Sequence, residues 1–300
     1  MAGATAARML ADAGLTVQVF DKGRAVGGRM ATRRSASLQF DHGAQFMRAH
    51  GPVFAARLAA WEQRGIVGLW GGAGRWVGVP DMTAPVRDLL AGLPVRSATA
   101  VTRIRRDAGA WHLDDAAGAV HGPFGAVAIT FPAPQTAALL DASGFALPAV
   151  ARARYAPCWS VMLAAQGMVP GDLIEPREDP LGLIALDGSK PGRPDGVRLT
   201  IHATAGWSRR HFEEPPATVT ARLVAAAERH LRVSLRPIHA EAHRWRYAQV
   251  ETALDVASLY DPAFGLGAAG DWCLGPRIEA AYDSGAALAR TISADLNGPA

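Results

Sequence analysis

Lysine, cysteine and long apolar segments are scarce in this 300-residue chain. It has two lysines among 31 basic residues, and two cysteines. Two cysteines cannot build a disulfide framework, and no C-x-x-C pair indicates a zinc site. No apolar run approaches the roughly 20 residues of a membrane span, and Arg8 and Asp12 interrupt the early apolar stretch. We therefore expect a cytoplasmic protein with no signal peptide, membrane partner or metal.

The charge pattern excludes another class of partner. The formal net charge is +4, and the basic residues are almost all arginines scattered along the chain. A nucleic-acid-binding protein would carry them as a stripe or patch. Arginine suits bidentate contact with phosphate or carboxylate, so we expect a small anionic ligand and no nucleic acid. The chain is long enough for one large domain or two small ones.

Periodicity predicts a mixed α/β chain. "GATAARMLADAG" has apolar residues at helical spacing, and "LTVQVFD" alternates as a strand, which together form half of a βαβ unit. "PVFAARLAAWEQRG" predicts a helix with Pro52 in its first turn. Strand-rich segments follow, and a long helix begins near Ile278. Because nucleotide-like elements lie at both ends, we expect two interwoven domains.

A partial dinucleotide fingerprint opens the chain. Gly3 fits the third glycine of G-x-G-x-x-G, and Asp21 follows 18 residues later, near the spacing of the acid that binds the adenosine ribose. The first strand and the first two glycines are missing, so we expect the true start to lie upstream of Met1. An Ala-rich helix packed on a strand, without a nucleotide, explains this segment equally well.

Two further segments favour the nucleotide. Gly27 and Gly28 allow close approach of a bulky group, and Arg29 could neutralise a diphosphate. Asp271 follows a strand, and a helix beginning near Ile278 offers a site for negative charge at its N-terminus.

Five segments in order resemble the renalase-like flavoproteins, a branch of the monoamine oxidase and phytoene desaturase superfamily. They are "DKGRAVGGRM", "FDHGAQF", "AITFPAPQ", "HRWRYAQV" and "AGDWCLGPRIEAAYDSGAAL". The resemblance implies an FAD-binding Rossmann-like domain, like that of p-hydroxybenzoate hydroxylase, interwoven with a smaller α+β substrate domain. It implies non-covalent FAD, and an oxidase that takes hydride from misreduced 2- and 6-dihydro-NAD(P) isomers. Molecular oxygen would reoxidise the flavin and give hydrogen peroxide.

The resemblance also assigns residues. Asp21 would bind the ribose, Arg29 the diphosphate, Val101 the adenine, Asp271 the ribityl or diphosphate region, and Ile278 would begin the helix beside the isoalloxazine. The full predicted cofactor set is Gly3, Asp21, Lys22, Gly27, Gly28, Arg29, Met30, Val101, Pro132, Asp271 and Ile278. The predicted catalytic residues are Gln45, His243 and Trp245, and the predicted substrate-binding residues are Lys190, Trp159 and Tyr247.

The implied FAD-binding domain comprises residues 1–48, 80–135 and 262–300, and the substrate domain comprises 49–79 and 136–261. Alternatives stay open at this point. The strand face of His243, Trp245 and Tyr247 could be core as readily as a substrate contact. An amine oxidase or a desaturase on the same fold is one rival function, and a flavin-free remnant acting as a binding or structural module is another. Monomer and homodimer are equally compatible with the sequence.

Overall fold

The structure, a computed structural model of the chain, describes residues 1–35, 38–72 and 74–298. The chain divides into two compact units. The first unit contains Met1–Gly28, Val86–Arg154 and Val250–Ala300, and the second unit contains Arg29–Pro85 and Tyr155–Gln249. None of the helices that the structure describes is both long and apolar enough to cross a lipid bilayer.

The described residues form eight α-helices and seventeen strands. The helices are α1 Ala2–Asp12, α2 Pro52–Gln63, α3 Ala84–Leu89, α4 Ala133–Ser143, α5 Ala205–Arg210, α6 Pro216–Leu231, α7 Asp271–Leu274 and α8 Ile278–Asn297. The strands are β1 Val19–Phe20, β2 Arg33–Ser35, β3 Leu38–Phe40, β4 Val67–Leu69, β5 Trp76–Gly78, β6 Val95–Arg96, β7 Val101–Asp107, β8 Ala110–Asp115, β9 Val120–Phe124, β10 Val127–Ile129, β11 Arg154–Gln166, β12 Leu173–Ile174, β13 Leu181–Leu186, β14 Val197–Ala203, β15 Arg236–Thr252, β16 Leu259–Asp261 and β17 Leu266–Ala268.

The first unit contains two parallel strand pairs, and the sheet that includes one of them packs against α1 and α8. Strand β1 pairs in parallel with β6. Strand β10 pairs in parallel with β17, and β17 pairs on its other side with β16, which is antiparallel to it. Ala6 and Leu10 of α1 pack with Leu288 and Ile292 of α8 in one buried cluster. A separate antiparallel sheet of β7, β8 and β9 completes the unit's strands. Strands β10 and β17 therefore belong to a sheet covered by helices, which is the setting of a βαβ fold.

The second unit is built on a five-stranded sheet in the order β12-β13-β14-β11-β15. Alternate residues of β11 and β14, including Val161, Leu163 and Ile201, pack against α6 in a buried cluster. The residues between them point to the opposite face, where Met162 packs with Phe40 of β3. The period of two along each strand thus gives the sheet one apolar face and one face directed at the segment that follows β3.

The predicted elements are largely observed, with different bounds. Helices α2 and α6 begin at prolines, and α8 begins at Ile278 as predicted. Strand β1 is shorter than predicted, because only Val19 and Phe20 pair with β6, while the N–H of Leu15 donates to Leu10 at the end of α1. Helix α4 was not predicted from the sequence. The two compact units differ in bounds from the predicted domains, whose assignment to FAD and substrate stays a prediction.

Gly285 gives a test of the α1–α8 packing. A Cβ atom at Gly285 would overlap the backbone carbonyl of Ala2, which cannot rotate away as a side chain could. Gly285→Ala should lower the melting temperature, because overpacking costs about 1–3 kcal/mol, against the gain of roughly 0.5–1 kcal/mol that alanine brings to a helix.

Gly125→Ala is the matched control, since its nearest neighbour would be the Leu296 side chain at 3.7 Å. Differential scanning calorimetry of the two variants checks the prediction. A Gly285→Ala protein at least as stable as the wild type would show that α1 and α8 do not approach this closely.

Candidate functional site

The start of α1 packs tightly in the first unit. A Cβ atom at Gly3 would lie 2.5 Å from Oγ1 of Thr130, the residue after β10. Only glycine allows this approach without movement of the threonine. Close packing of the first helix on a parallel strand is the task of the third glycine in a dinucleotide fingerprint.

Asp21 stands at the carboxyl end of β1. Its backbone N–H donates to the Arg96 carbonyl at 2.9 Å, and its own carbonyl accepts from Thr99 at 2.9 Å. Its side-chain Oδ1 accepts the Gly23 backbone N–H at 2.7 Å, which closes a tight turn directly after the strand. The carboxylate is therefore held at the strand end, where open α/β sheets bind their ligands. Lys22 beside it is exposed.

The turn after Asp21 contains two glycines with positive φ. Gly27 has φ of +126° and Gly28 has φ of +54°, conformations that residues with a Cβ rarely adopt. Gly27 is buried and Gly28 is exposed. The sequence prediction that backbone freedom is required here is consistent with this geometry.

The C-terminal segment of the first unit places Asp271 and Ile278 at helix starts. Asp271 begins the short helix α7, and its carbonyl accepts the Gly275 N–H at 2.6 Å. The Gly270 N–H donates to Ser284 Oγ of α8 at 3.0 Å, which fixes the segment onto that helix. Val101 begins β7 and Pro132 precedes α4.

Asp41 is the centre of a buried polar network in the second unit. Its Oδ1 accepts hydrogen bonds from the Thr32 hydroxyl at 2.7 Å and the Met82 backbone N–H at 3.1 Å. Its Oδ2 lies 2.6 Å from Arg193 Nη2 and 3.3 Å from Lys190 Nζ. Because the Asp41 side chain is only 1% exposed, the two cations compensate its charge away from water.

Lys190 joins Asp41 to two more residues. Its ammonium lies 2.5 Å from Asp187 Oδ1 and donates to Gln45 Oε1 at 2.9 Å. Asp187 Oδ2 accepts the Asp41 backbone N–H at 3.0 Å and the Thr200 hydroxyl at 3.1 Å. We call Asp41, Gln45, Asp187, Lys190, Arg193 and Thr200 the Asp41 network.

The two carboxylates of the network have opposite pKa shifts. Burial alone would raise the pKa of Asp41, but Lys190 and Arg193 outweigh burial and lower it to about 2. Burial dominates at Asp187 and raises its pKa, with Lys190 opposing the rise. Asp41 is therefore the permanent anion of the network.

Three rings form a group beside this network, and we call His42, His243 and Trp245 the aromatic group. The ring centroids of His42 and Trp245 are 4.9 Å apart, those of His42 and His243 are 5.0 Å apart, and those of His243 and Trp245 are 4.5 Å apart. The indole Nε1 donates to the His42 carbonyl at 3.0 Å, and His202 Nε2 approaches the same oxygen at 3.4 Å.

The imidazoles of this region are neutral at physiological pH. Burial lowers the pKa of His42 to about 4, with His243 and Arg33 adding to the effect. Burial lowers the pKa of His202 to about 4 as well, and burial followed by Arg33 lowers the pKa of His243. The aromatic group is therefore uncharged; His42 is buried, and His243 and Trp245 are half-buried.

Arg29 is tied to the same unit. Its Nη1 donates to the Ala248 carbonyl at 3.2 Å, and its guanidinium lies 5.6 Å from the ring centre of Tyr155, which packs edge-on against Tyr247. A Cβ at Gly43 would overlap the Arg29 carbonyl, so the two segments touch through backbone. Met30, the next residue, is buried.

The structure brings some of the predicted site residues together and separates others. Gln45 and Lys190 share a hydrogen bond, and His243 and Trp245 share ring contacts. Gln45 and Lys190 are buried, so direct contact with a ligand, which stays a prediction, is not supported by their positions. Trp159 packs in the α6 cluster on the other sheet face, and its substrate role is likewise unsupported.

Sequence reasoning missed the rest of the Asp41 network. Asp41 lies in "FDHGAQF", but nothing in the local pattern pairs it with Asp187, which is 146 positions further along the chain. One feature of the sequence could have predicted an acidic partner. It is the rare lysine in "LDGSKPGR", because a buried lysine needs a counter-ion.

Comparison with known proteins agrees with this geometry. Residues 1–60 match the family described as NAD(P)-binding Rossmann-like domain. The chain has a mixed α/β fold with a Rossmann-like domain, as the sequence predicted. Its fold is also similar to the crystal structure of a putative protoporphyrinogen oxidase from Exiguobacterium sp. 255-15. The two share 13% sequence identity over 99% of this chain and 97% of that one, with a TM-score of 0.74.

His202 gives a pH test of the second unit. Its folded pKa of about 4 lies below the value of about 6.5 in an unfolded chain. Between these values the unfolded state binds the proton and the folded state does not, so stability falls as the pH falls from 6.5 to 4. His202→Gln keeps a donor for the His42 carbonyl but removes this titration.

We expect the stability of His202→Gln to depend less steeply on pH in this window, by about one proton. Urea unfolding at several pH values measures the slope. Val219→Ala, which changes no titratable group, should lower the stability at every pH and keep the wild-type slope. An unchanged slope in His202→Gln would mean that the imidazole is protonated in the folded protein.

Proposed function

We propose that the chain is a renalase-like FAD-dependent oxidase that acts on misreduced NAD(P)H isomers. The proposal that the ligand is a flavin rests on the positions of Gly3 and Asp21 in the first unit. Gly3 packs against Thr130 as a fingerprint glycine would, and Asp21 is fixed at the end of a parallel strand. The family match over residues 1–60 supports a dinucleotide ligand.

The described residues fit FAD at the adenosine and diphosphate end. The Asp21 carboxylate would accept the ribose hydroxyls, and the Gly27–Gly28 turn would admit the diphosphate. The resemblance assigns Arg29 as the counter-ion of the diphosphate. The N-terminus of α8 at Ile278 would stabilise negative charge on the reduced ring. FAD would supply the hydride acceptor and its reoxidation by oxygen. Neither cysteine is expected to attach the flavin; burial raises the pKa of Cys158 to about 12.

The assignment of dihydro-NAD(P) isomers as substrates rests on the resemblance of the motifs, and the aromatic group supports it. Hydride transfer from a dihydropyridine requires positioning more than acid–base catalysis. His243 and Trp245 are half-buried and offer rings against which a nicotinamide could stack, with buried His42 packed against both. The complete reaction converts a dihydro-NAD(P) isomer, oxygen and one proton into NAD(P)+ and hydrogen peroxide.

The rival functions predict other reductants. An amine oxidase would take electrons from an amine, and a desaturase from a long apolar molecule. The name of the Exiguobacterium protein raises a porphyrinogen as a further reductant for the same fold. A flavin-free module would take none. These functions can be separated in one experiment, because reduction bleaches the yellow flavin.

We expect the protein reconstituted with FAD to bleach under anaerobic conditions on mixing with 2- or 6-dihydro-NAD(P), and to release hydrogen peroxide when oxygen returns. Ordinary NAD(P)H, which is the 4-dihydro isomer, should bleach the flavin much more slowly, and so should benzylamine and protoporphyrinogen. Stopped-flow absorbance measures all of these rates.

His243→Leu and Trp245→Leu should slow bleaching by the isomers, because each removes a ring of the aromatic group. Trp159→Leu, in the core on the other sheet face, is the matched control and should keep the rate if it folds. Fast bleaching by the amine or the porphyrinogen alone would favour that rival. A protein that holds no FAD would refute the proposal.

A further inference from the structure

The orientation of the Trp245 indole depends on the backbone of a single segment. Its Nε1 donates to the His42 carbonyl at 3.0 Å, and its six-membered ring lies beside Gly43, 3.5 Å from where a Cβ would stand. The His42 ring contacts the indole from the same segment at 4.9 Å. Movement of residues 41–45 would therefore move Trp245.

That segment is held at both ends by buried side chains. At its start, the Asp41 N–H donates to Asp187, and the Asp41 carbonyl accepts from the Thr200 hydroxyl at 3.2 Å. At its end, the Gln45 amide donates to the carbonyls of Asp41 and Gly43, while its oxygen accepts from Lys190. The Gln45 amide thus folds the segment back on itself.

Lys190 connects the two ends. Its side chain is fully buried, and its ammonium contacts Asp187, Asp41 and Gln45 and lies 5.2 Å from the ring centre of Trp70. Buried ion pairs are poor sources of stability, because desolvation offsets their attraction, and apolar residues of similar volume often do as well. A buried network of hydrogen bonds instead favours one geometry of the groups that it joins.

We propose that Lys190 is a positioning residue, which acts through Gln45 and Asp41 to fix the His42 carbonyl and so orient the Trp245 indole. Asp187 holds the ammonium in place. If the proposed function holds, the consequence is selectivity for the ring that stacks on Trp245. The orientation itself does not depend on that function and can be measured without substrate.

Fluorine NMR of protein labelled with 5-fluorotryptophan measures the indole environment directly. The chain has eight tryptophans, and Trp245→Phe identifies the Trp245 resonance by its loss. Lys190→Met removes the ammonium and replaces the side chain with an unbranched one that is shorter by one atom. We expect the resonances of Trp245 and Trp70 to shift. The resonance of Trp111, which lies in the first unit, should not shift. An unmoved Trp245 resonance would overturn the proposal.

A double variant separates positioning from stability. Lys190→Met with Asp187→Asn removes one charge of each sign, which leaves Asp41 paired with Arg193. We expect thermal stability to recover towards the wild type, while the Trp245 resonance stays shifted, because the bond to Gln45 is still missing. A resonance that returns as stability recovers would show a merely structural role and overturn the proposal.

Leu223→Ala is the matched control for loss of stability. Leu223 is buried in the α6 cluster, on the sheet face opposite the aromatic group. This variant should melt at a lower temperature and leave the Trp245 resonance at its wild-type position. A Trp245 shift in Leu223→Ala as large as that in Lys190→Met would overturn the proposal. In the FAD-loaded enzyme, Lys190→Met should raise KM for the dihydro-NAD(P) isomer more than it lowers kcat. Absence of turnover in the wild type would refute the proposed function and leave the NMR result valid.

Discussion

The burial of one carboxylate constrains the second unit more than any other interaction. Asp41 is removed from water, and its charge requires cations and donors from several segments at once. Lys190 and Arg193 supply the charges, and Thr32 and Met82 supply donors to the other oxygen. Leaving out both cations would strand a buried charge, which costs several kcal/mol. The segments that carry these partners are therefore held together.

The Asp41 network also constrains the aromatic group. The Asp41 network ends at the His42 carbonyl, and the rings of His42, His243 and Trp245 are assembled around it. The rings are neutral, and the nearby ion pair of Arg33 and Glu241 supplies charges that act on His243.

Local sequence patterns were enough for four of the helices and for the class of fold. Helix α1, the proline starts of α2 and α6, and the start of α8 at Ile278 follow from periodicity and capping rules. The short β1 could not be anticipated, since its length is set by pairing with β6, a partner far along the chain. Helix α4 was missed, although Gly144 in a left-handed conformation ends it as a helix-stop glycine would.

The candidate site was predictable only in part. Alternation in "HRWRY" places His243, Trp245 and Tyr247 on one strand face, and the structure adds His42 from a distant segment. Lys190 and Gln45 stood out by type and motif, but their burial and their mutual hydrogen bond depend on tertiary packing. Trp159 illustrates the same limit, because an aromatic residue on a strand gives no sign of which face it occupies.

The central claim is that the first unit recognises the adenosine half of a flavin dinucleotide. Calorimetric titration of the flavin-free protein with FAD and with FMN tests it most directly, since FMN lacks that half. We expect FAD to bind at least about tenfold more tightly, the equivalent of one charge-assisted hydrogen bond, and Asp21→Asn to reduce this ratio. Equal affinity for the two flavins, or no binding of FAD, would contradict the claim.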